Sequence, residues 1–304
     1  FAILGGLAAF FVGPNPTRAN TGYGLIDLRR WRWLLIASLA TLYVWNFNRL
    51  PLGLGMDLLY HQEYVDFILI NKSLPFADQG WQLFQPPLAY LLGALMEPLV
   101  AVYAPGLNPA EGLRILTILC SLGIVWVGCL ISEISFNNAG TAAAAMVVAT
   151  FLPVNLYMGQ AFGNEPFAAL FGSLLILESV RMVKGGPVTS PVLLRIGLWF
   201  GLGLLSKPTV LLLLPSVLLV VMVRQRLNST SLASLRSASV ILLASVAVSG
   251  WWYVRNIFHF GDPFVGGWEV GRSLDWWQYP GFRIPEHWLR FGESLVTPFY
   301  AGLD

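Results

Sequence analysis

Apolar runs of near-spanning length, separated by short polar breaks, recur along most of this chain. They predict helices near 31–48, 88–104, 113–134, 139–157, 166–183, 191–206, 208–223 and 237–258. A helix needs about 20 apolar residues to cross a bilayer, and the alternating ten-residue pattern of a transmembrane barrel is absent. Only helices and closed barrels satisfy every backbone group in lipid, so the pattern predicts an all-α fold, a polytopic transmembrane helical bundle. One stretch stands apart. Between apolar blocks, Asp57 to Tyr90 (DLLYHQEYVDFILINKSLPFADQGWQLFQPPLAY) gathers charges, a histidine, amides and paired prolines. Its first half reads as an amphipathic helix that stacks Asp57, His61 and Glu63 or Tyr64 by helical spacing. A second helix restarts at Pro86 and Pro87, because a first helical turn tolerates proline.

Basic residues at the ends of the runs give a direction to each crossing. Arg29, Arg30 and Arg32 precede WLLIASLATLYVWNF, and flanking Lys and Arg favour the cytoplasm, so the first helix runs outward and Asp57 to Gln85 lies outside. Arg181 with Lys184, Arg224 with Arg226, and Arg236 are cytoplasmic by the same rule, which makes 237–258 outward and, read backward, 113–134 inward. Arg114 is then external, and 88–104 cannot be a full crossing. It is expected to lie on the outer leaflet or dip into it, interrupted at Glu97 and Pro98. On this topology the Asp57 loop, Asn164-Glu165-Pro166, Ser206-Lys207-Pro208 and Trp251 to Asn256 share the outer side and converge at one interface.

Composition strengthens the membrane reading. Hydrophobic residues make up 56% and charged residues 11%, with a mean hydropathy of +0.65, against a charged share of about 25% in soluble domains. The net charge of +2 is spread over helix ends without a basic patch, which excludes nucleic acid as a partner. Cys120 and Cys129 lie on one helix, about 13.5 Å apart in rise, too far for a disulfide, and are expected to pack as small apolar residues. The organisation expected is a single transmembrane domain over 1–304. A lead segment at 1–30 precedes a bundle at 31–258, with an external loop at 49–87, and an external loop rich in Trp, Gly and Pro follows at 259–304. The chain begins in an apolar run without Met and ends in a polar loop, so it is expected to be a fragment.

Several residues could carry chemistry. Asp57, just after a span, sits where a lipid phosphate headgroup would lie, as a base or a cation ligand, or else simply as a helix N-cap. Glu165 opens an inward helix whose dipole favours its charge; a first-turn Glu before proline is also common. His61, one turn after Asp57, could bind substrate or metal, although no HExxH or paired-His spacing supports zinc. Lys207 interrupts an apolar hairpin and could hold a lipid phosphate, with Arg255 as a second cation; snorkelling and interface anchoring are the plain alternatives. Gln85 could touch sugar hydroxyls. Trp251, Trp252, Trp268, Trp276 and Trp277 could stack on sugars but read more simply as an interfacial belt. No Walker loop, GxSxG serine or CxxC appears, which argues against an ATP-driven pump, a serine hydrolase and a thiol redox enzyme.

In their order, these segments resemble the GT-C superfamily of membrane glycosyltransferases. In particular they resemble the bacterial and archaeal relatives of protein O-mannosyltransferases and aminoarabinose transferases (glycosyltransferase family 39-like). The matching pieces are the acidic loop at Asp57, QPPL at Gln85 to Leu88, Arg114 opening a helix, NEP at 164–166, GLGLLSKPTVLLLLP at 201–215 and WWYVRNIFHFGDPF at 251–264. The family's frequent DE pair is here Asp57 followed by Leu58, and its common HPP is QPP. The resemblance implies a GT-C bundle with amphipathic juxtamembrane helices in its first external loop. It also implies transfer of a sugar from a polyprenyl-phosphate donor to a lipid, glycan or protein acceptor at the outer face of a prokaryotic plasma membrane. Asp57 and Glu165 take the catalytic positions, with Asp57 also the ligand of a divalent cation, Mg or Mn, where one is used. His61, Tyr64, Gln85, Lys207, Arg255 and Asn256 are the expected substrate-binding residues. The competing readings are a transporter or lipid flippase, marked by buried mid-membrane charges and inverted repeats, and a non-catalytic envelope scaffold.

Overall fold

The computed structural model describes residues 27–51, 53, 58–228 and 231–265. All regular structure among them is helical: α1 (Leu28–Phe47), α2 (Leu58–Asn71), α3 (Leu88–Tyr103), α4 (Glu111–Ser135), α5 (Ala139–Thr150), α6 (Pro153–Met158), α7 (Glu165–Val183), α8 (Ser190–Ser206), α9 (Leu214–Asn228) and α10 (Ser231–Phe260), with 3-10 turns at Ala77–Gln79 and Pro208–Leu213. Four segments, Glu111–Ser135, Glu165–Val183, Pro208–Gln225 and Leu232–Phe260, are long and apolar enough to cross a membrane. They turn Leu212, Leu219, Leu243 and Val246 outward, which suits lipid and not water. The protein is an all-α polytopic membrane bundle, as the hydrophobic pattern predicts.

The helices follow from local chemistry. Asp27 caps α1 by accepting from the Arg29 and Arg30 amides at 3.0 and 3.3 Å. Asn138 caps α5 by accepting from the Thr141 amide. Pro153 and Pro166 sit in first turns, where a missing N–H costs nothing. α8 and α10 pack closely because Gly197 and Gly201 lie one turn apart on their contact face. A methyl group at Gly197 would come within 2.5 Å of the Ala244 Cβ, and one at Gly201 within 2.6 Å of the Val248 Cβ. This seam joins the largest core, in which Trp199, Phe200, Leu175, Val221 and Ile241 are buried together. A second core sets α2 and α3 against Leu113 and Phe167, and a third sets α1 against α4 and α5. Cys120 and Cys129 are buried and form no disulfide, packing as small apolar groups.

Three local expectations are corrected. The run at 139–157 is two helices, because Leu152 precedes a proline, is pushed to extended backbone (ψ 127°) and ends the helical path. α3 is not interrupted at Glu97 and Pro98: the proline lies inside a continuous helix, and the Glu97 carboxylate is buried, accepting from Gln62 Nε2 at 2.6 Å. At 16 residues α3 is nonetheless shorter than the roughly 20 that span hydrocarbon. Trp252, expected in an interfacial belt, is buried inside the bundle.

Cross-links between helix ends define two poles. Arg32 pairs with Glu133 at 2.8 Å, and Lys184 Nζ donates to the Ser135 carbonyl, so the start of α1 and the ends of α4 and α7 share one pole. At the other, the buried Arg114 donates to the carbonyls of Phe47, Leu50 and Pro51, fastening the start of α4 to the chain leaving α1. The start of α7 and the end of α8 lie at this second pole.

Candidate active site

Two helix ends create the site. α7 begins at Glu165, where an ionised carboxylate is favoured by the exposed first-turn amides. α8 stops at Ser206, because Lys207 takes an extended conformation (φ −157°, ψ 133°) before Pro208. Across the gap the Lys207 ammonium donates to Glu165 Oε1, with the lysine side chain 27% and the glutamate 42% exposed. NEP and SKP, far apart in sequence, thus form one charged pair open to the second pole.

The Asp57 to Tyr90 stretch forms the wall behind this pair. α2 buries one face through Leu58, His61, Tyr64 and Val65, at helical spacing. His61 Nδ1 and the Tyr90 hydroxyl are hydrogen-bonded at 2.8 Å, and Tyr90 stacks on Tyr64 with ring centres 3.9 Å apart and planes 6° from parallel. Phe162 closes the edge of the His61 ring. Glu165 Oε2 and His61 Nε2 both approach the bare Cα of Gly163, where a Cβ would sit 2.7 Å from the first and 3.4 Å from the second. Glycine is therefore required for the carboxylate to fold back beside the imidazole. Gln85 accepts from Asn164 Nδ2 at 3.0 Å and donates to Gln82 at 3.1 Å, tying the lead-in of α3 to NEP.

Arg255 stands at the rim. Its Nη2 donates to the carbonyls of Leu74 and Pro75 at 3.0 and 2.8 Å, and its guanidinium lies 3.8 Å over the Phe76 ring, which His259 covers in turn. Burial pushes the Tyr64 phenol well above its usual range, against the pull of the nearby Arg255 charge. Asn256 is buried and donates to the Pro263 carbonyl, closing the chain back after α10.

Of the expected site residues, Glu165, Lys207, His61 and Gln85 come together, with Tyr64 one layer behind. Arg255 and Asn256 hold the rim and the chain beyond it. Asp57 lies outside the described residues, as do Trp268, Trp276 and Trp277. Sequence reasoning missed Tyr90, Gln82, Asn164 and Ser206 as partners. Their signal was present, since each lies within or beside the motifs QPP, NEP and SKP.

Among the described residues no group of three or more His, Cys, Asp or Glu is gathered that could hold a metal ion, and Glu165 is met by Lys207; Asp57, the expected cation ligand, lies outside them. A family model described as dolichyl-phosphate-mannose-protein mannosyltransferase matches residues 85–252, more than half of the chain. The chain belongs to this family. It is a GT-C-type, mannosyltransferase-like glycosyltransferase and an integral membrane protein, as the order of its motifs suggested. No curated protein and no solved structure matches it significantly. The family's span takes in Gln85, Tyr90, Asn164, Glu165, Ser206 and Lys207; His61 lies before it and Arg255 after it.

Proposed function

We propose that the chain transfers a sugar from a polyprenyl phosphate or diphosphate carrier to a hydroxyl of a lipid, glycan or protein acceptor at the outer face of the plasma membrane. The observation that carries this reading is the open Glu165–Lys207 pair, the charged pair backed by the polar 57–90 stretch. Orientation is supported by charge. Arg29, Arg30, Arg32, Arg181, Lys184, Arg195, Arg224 and Arg236 all belong to the opposite pole, which the positive-inside rule assigns to the cytoplasm.

In the reaction the acceptor oxygen bonds to the anomeric carbon while the bond from that carbon to the phosphate oxygen breaks, its electron pair leaving with the phosphate. The hydroxyl proton passes to the Asp57 carboxylate. Lys207 meets the charge that develops on the leaving phosphate, an interaction strongest in the transition state. Glu165 holds that ammonium in place, and His61, bonded to Tyr90, backs Glu165. Gln85 is buried, its amide shared between Asn164 and Gln82, and holds the lead-in of α3 against NEP. Tyr64 is fully buried and shapes the wall; Arg255 and Asn256 set the rim. The transporter reading is less well supported, because the buried Glu178 is paired with Arg181 and Arg195 near the basic pole.

Reconstitution in proteoliposomes with a panel of lipid-linked sugars tests the reading. Donor-dependent transfer is expected, with loss in Asp57→Asn and in Glu165→Gln; full activity in the double variant would overturn it.

A further inference from the structure

We propose that Asn164 is a positioning residue that sets Glu165 against Lys207. The inference rests on the reading of that pair as the reaction centre. Asn164 directly precedes Glu165, and Ser206 directly precedes Lys207. The Asn164 side-chain nitrogen donates to the Ser206 carbonyl at 3.0 Å and to Gln85 Oε1 at 3.0 Å. Asn164 and Ser206 are both wholly buried. One amide group therefore joins the residue before the carboxylate, the residue before the ammonium and the lead-in of α3.

The chemistry of this joint is specific. Ser206 ends α8, so its carbonyl has no following helical turn to accept from; the nearest later turn bond runs from the Val210 amide to Lys207 instead. A backbone carbonyl can only accept, which fixes the Asn164 amide with its nitrogen toward Ser206. Both of its hydrogens are then used. Aspartate has the same shape but offers no hydrogen and would bury a charge beside two acceptors; serine offers a single donor. Consecutive Cα atoms are held about 3.8 Å apart, so a shift of Ser206 is handed directly to Lys207. The Asn164 side chain bonds Gln85 and Ser206 and neither Glu165 nor Lys207, and its effect is transmitted through the backbone of both.

The test reads Lys207 directly. In proteoliposomes holding the full chain, an amine-acylating reagent is applied and the labelling rates of Lys207, Lys72 and Lys184 are followed by peptide mass spectrometry. Glu165→Gln, which weakens the partner of Lys207, calibrates the released lysine. In Asn164→Ala, Lys207 is expected to label severalfold faster, approaching the Glu165→Gln rate, while Lys72 and Lys184 are unchanged. Transfer by the same variant should fall on the order of 10- to 100-fold, mostly in kcat. Asn164→Ser keeps one donor and should show a smaller rise in the same direction, which covers the case in which the alanine variant does not fold. Unchanged Lys207 labelling in a folded variant overturns the proposal, and so does an equal rise at all three lysines, since that is general loosening. Full transfer in Lys207→Ala would instead overturn the assignment of the reaction centre while leaving the labelling result standing.

Discussion

Glu165 and Glu178 lie on the same helix, about 20 Å apart in rise, and meet opposite surroundings. Glu178 has its side chain 3% exposed, and one of its oxygens takes Arg181 Nη1 and Arg195 Nη2, both at 2.9 Å. Glu165 has its side chain 42% exposed and takes one lysine. Guanidinium is weakly hydrated and planar and suits a buried carboxylate; ammonium is a compact, strongly hydrated charge on a flexible stem. The first arrangement locks α7 to α8 near the basic pole, and the second leaves a cation that an incoming anion can reach. Within one bundle, the choice of cation and the depth of burial separate a structural clamp from a working group.

Removing Glu178 should give the largest effect on the fold. Glu178→Ala strips two buried arginines of their shared carboxylate and should cost about 3–5 kcal/mol, read as a large fall in Tm in detergent. Replacing Glu178, Arg181 and Arg195 together by apolar residues of similar volume should recover most of that loss. A normal Tm in Glu178→Ala would erase the contrast between the two sites. Lys207→Ala should do the reverse. Transfer is expected to fall about 100-fold or more, with stability changed by less than about 1 kcal/mol, since the pair is partly exposed.

A third variant sharpens the open site. Gly163→Ala puts a methyl group 2.7 Å from Glu165 Oε2, and the flexible carboxylate should swing aside. Transfer should drop about tenfold or more, with little change in Tm; unchanged kinetics would show that the carboxylate's position does not matter. The smallest effect is expected at Glu97 on α3. Burial raises its carboxyl above the usual range, Gln62 opposes this and Asp66 adds to it. A carboxyl raised in the fold gives stability that is full below its unfolded value and lost as pH rises through the folded one. Glu97→Gln keeps an acceptor for Gln62 and should therefore raise Tm slightly at neutral pH, the gain vanishing in acid. A gain that persisted at low pH would show that charge is not its cause.

Much of this could be read from the chain. Hydrophobic runs gave the class of the helices and the place of most of them because lipid allows few alternatives, and charge parity brought NEP and SKP to the same pole. What pattern could not supply was depth. Arg181 was read as a cytoplasmic flank, yet it is 7% exposed and tied to Glu178, since helix-end counting does not show which way a side chain turns. Pro98 was read as a break, yet one missing N–H is tolerated where α2 and α4 pack on either side. Arg255 was read as a phosphate ligand, and nothing in its neighbours along the sequence points to the Leu74 and Pro75 carbonyls, about 180 residues away.

The split at Leu152 has a consequence for the membrane itself. α5, of 12 residues, rises about 18 Å, while α10, of 30 residues, rises about 45 Å. A hydrocarbon film of about 30 Å matches neither. α10 must tilt or project, and the film beside α5 must thin unless α6 covers the shortfall, at fractions of a kcal/mol for each Å of mismatch. Where α6 does not cover the shortfall, the film is thinner along that flank than beside α10, and a long-chain lipid approaching from the two sides meets a different depth of film.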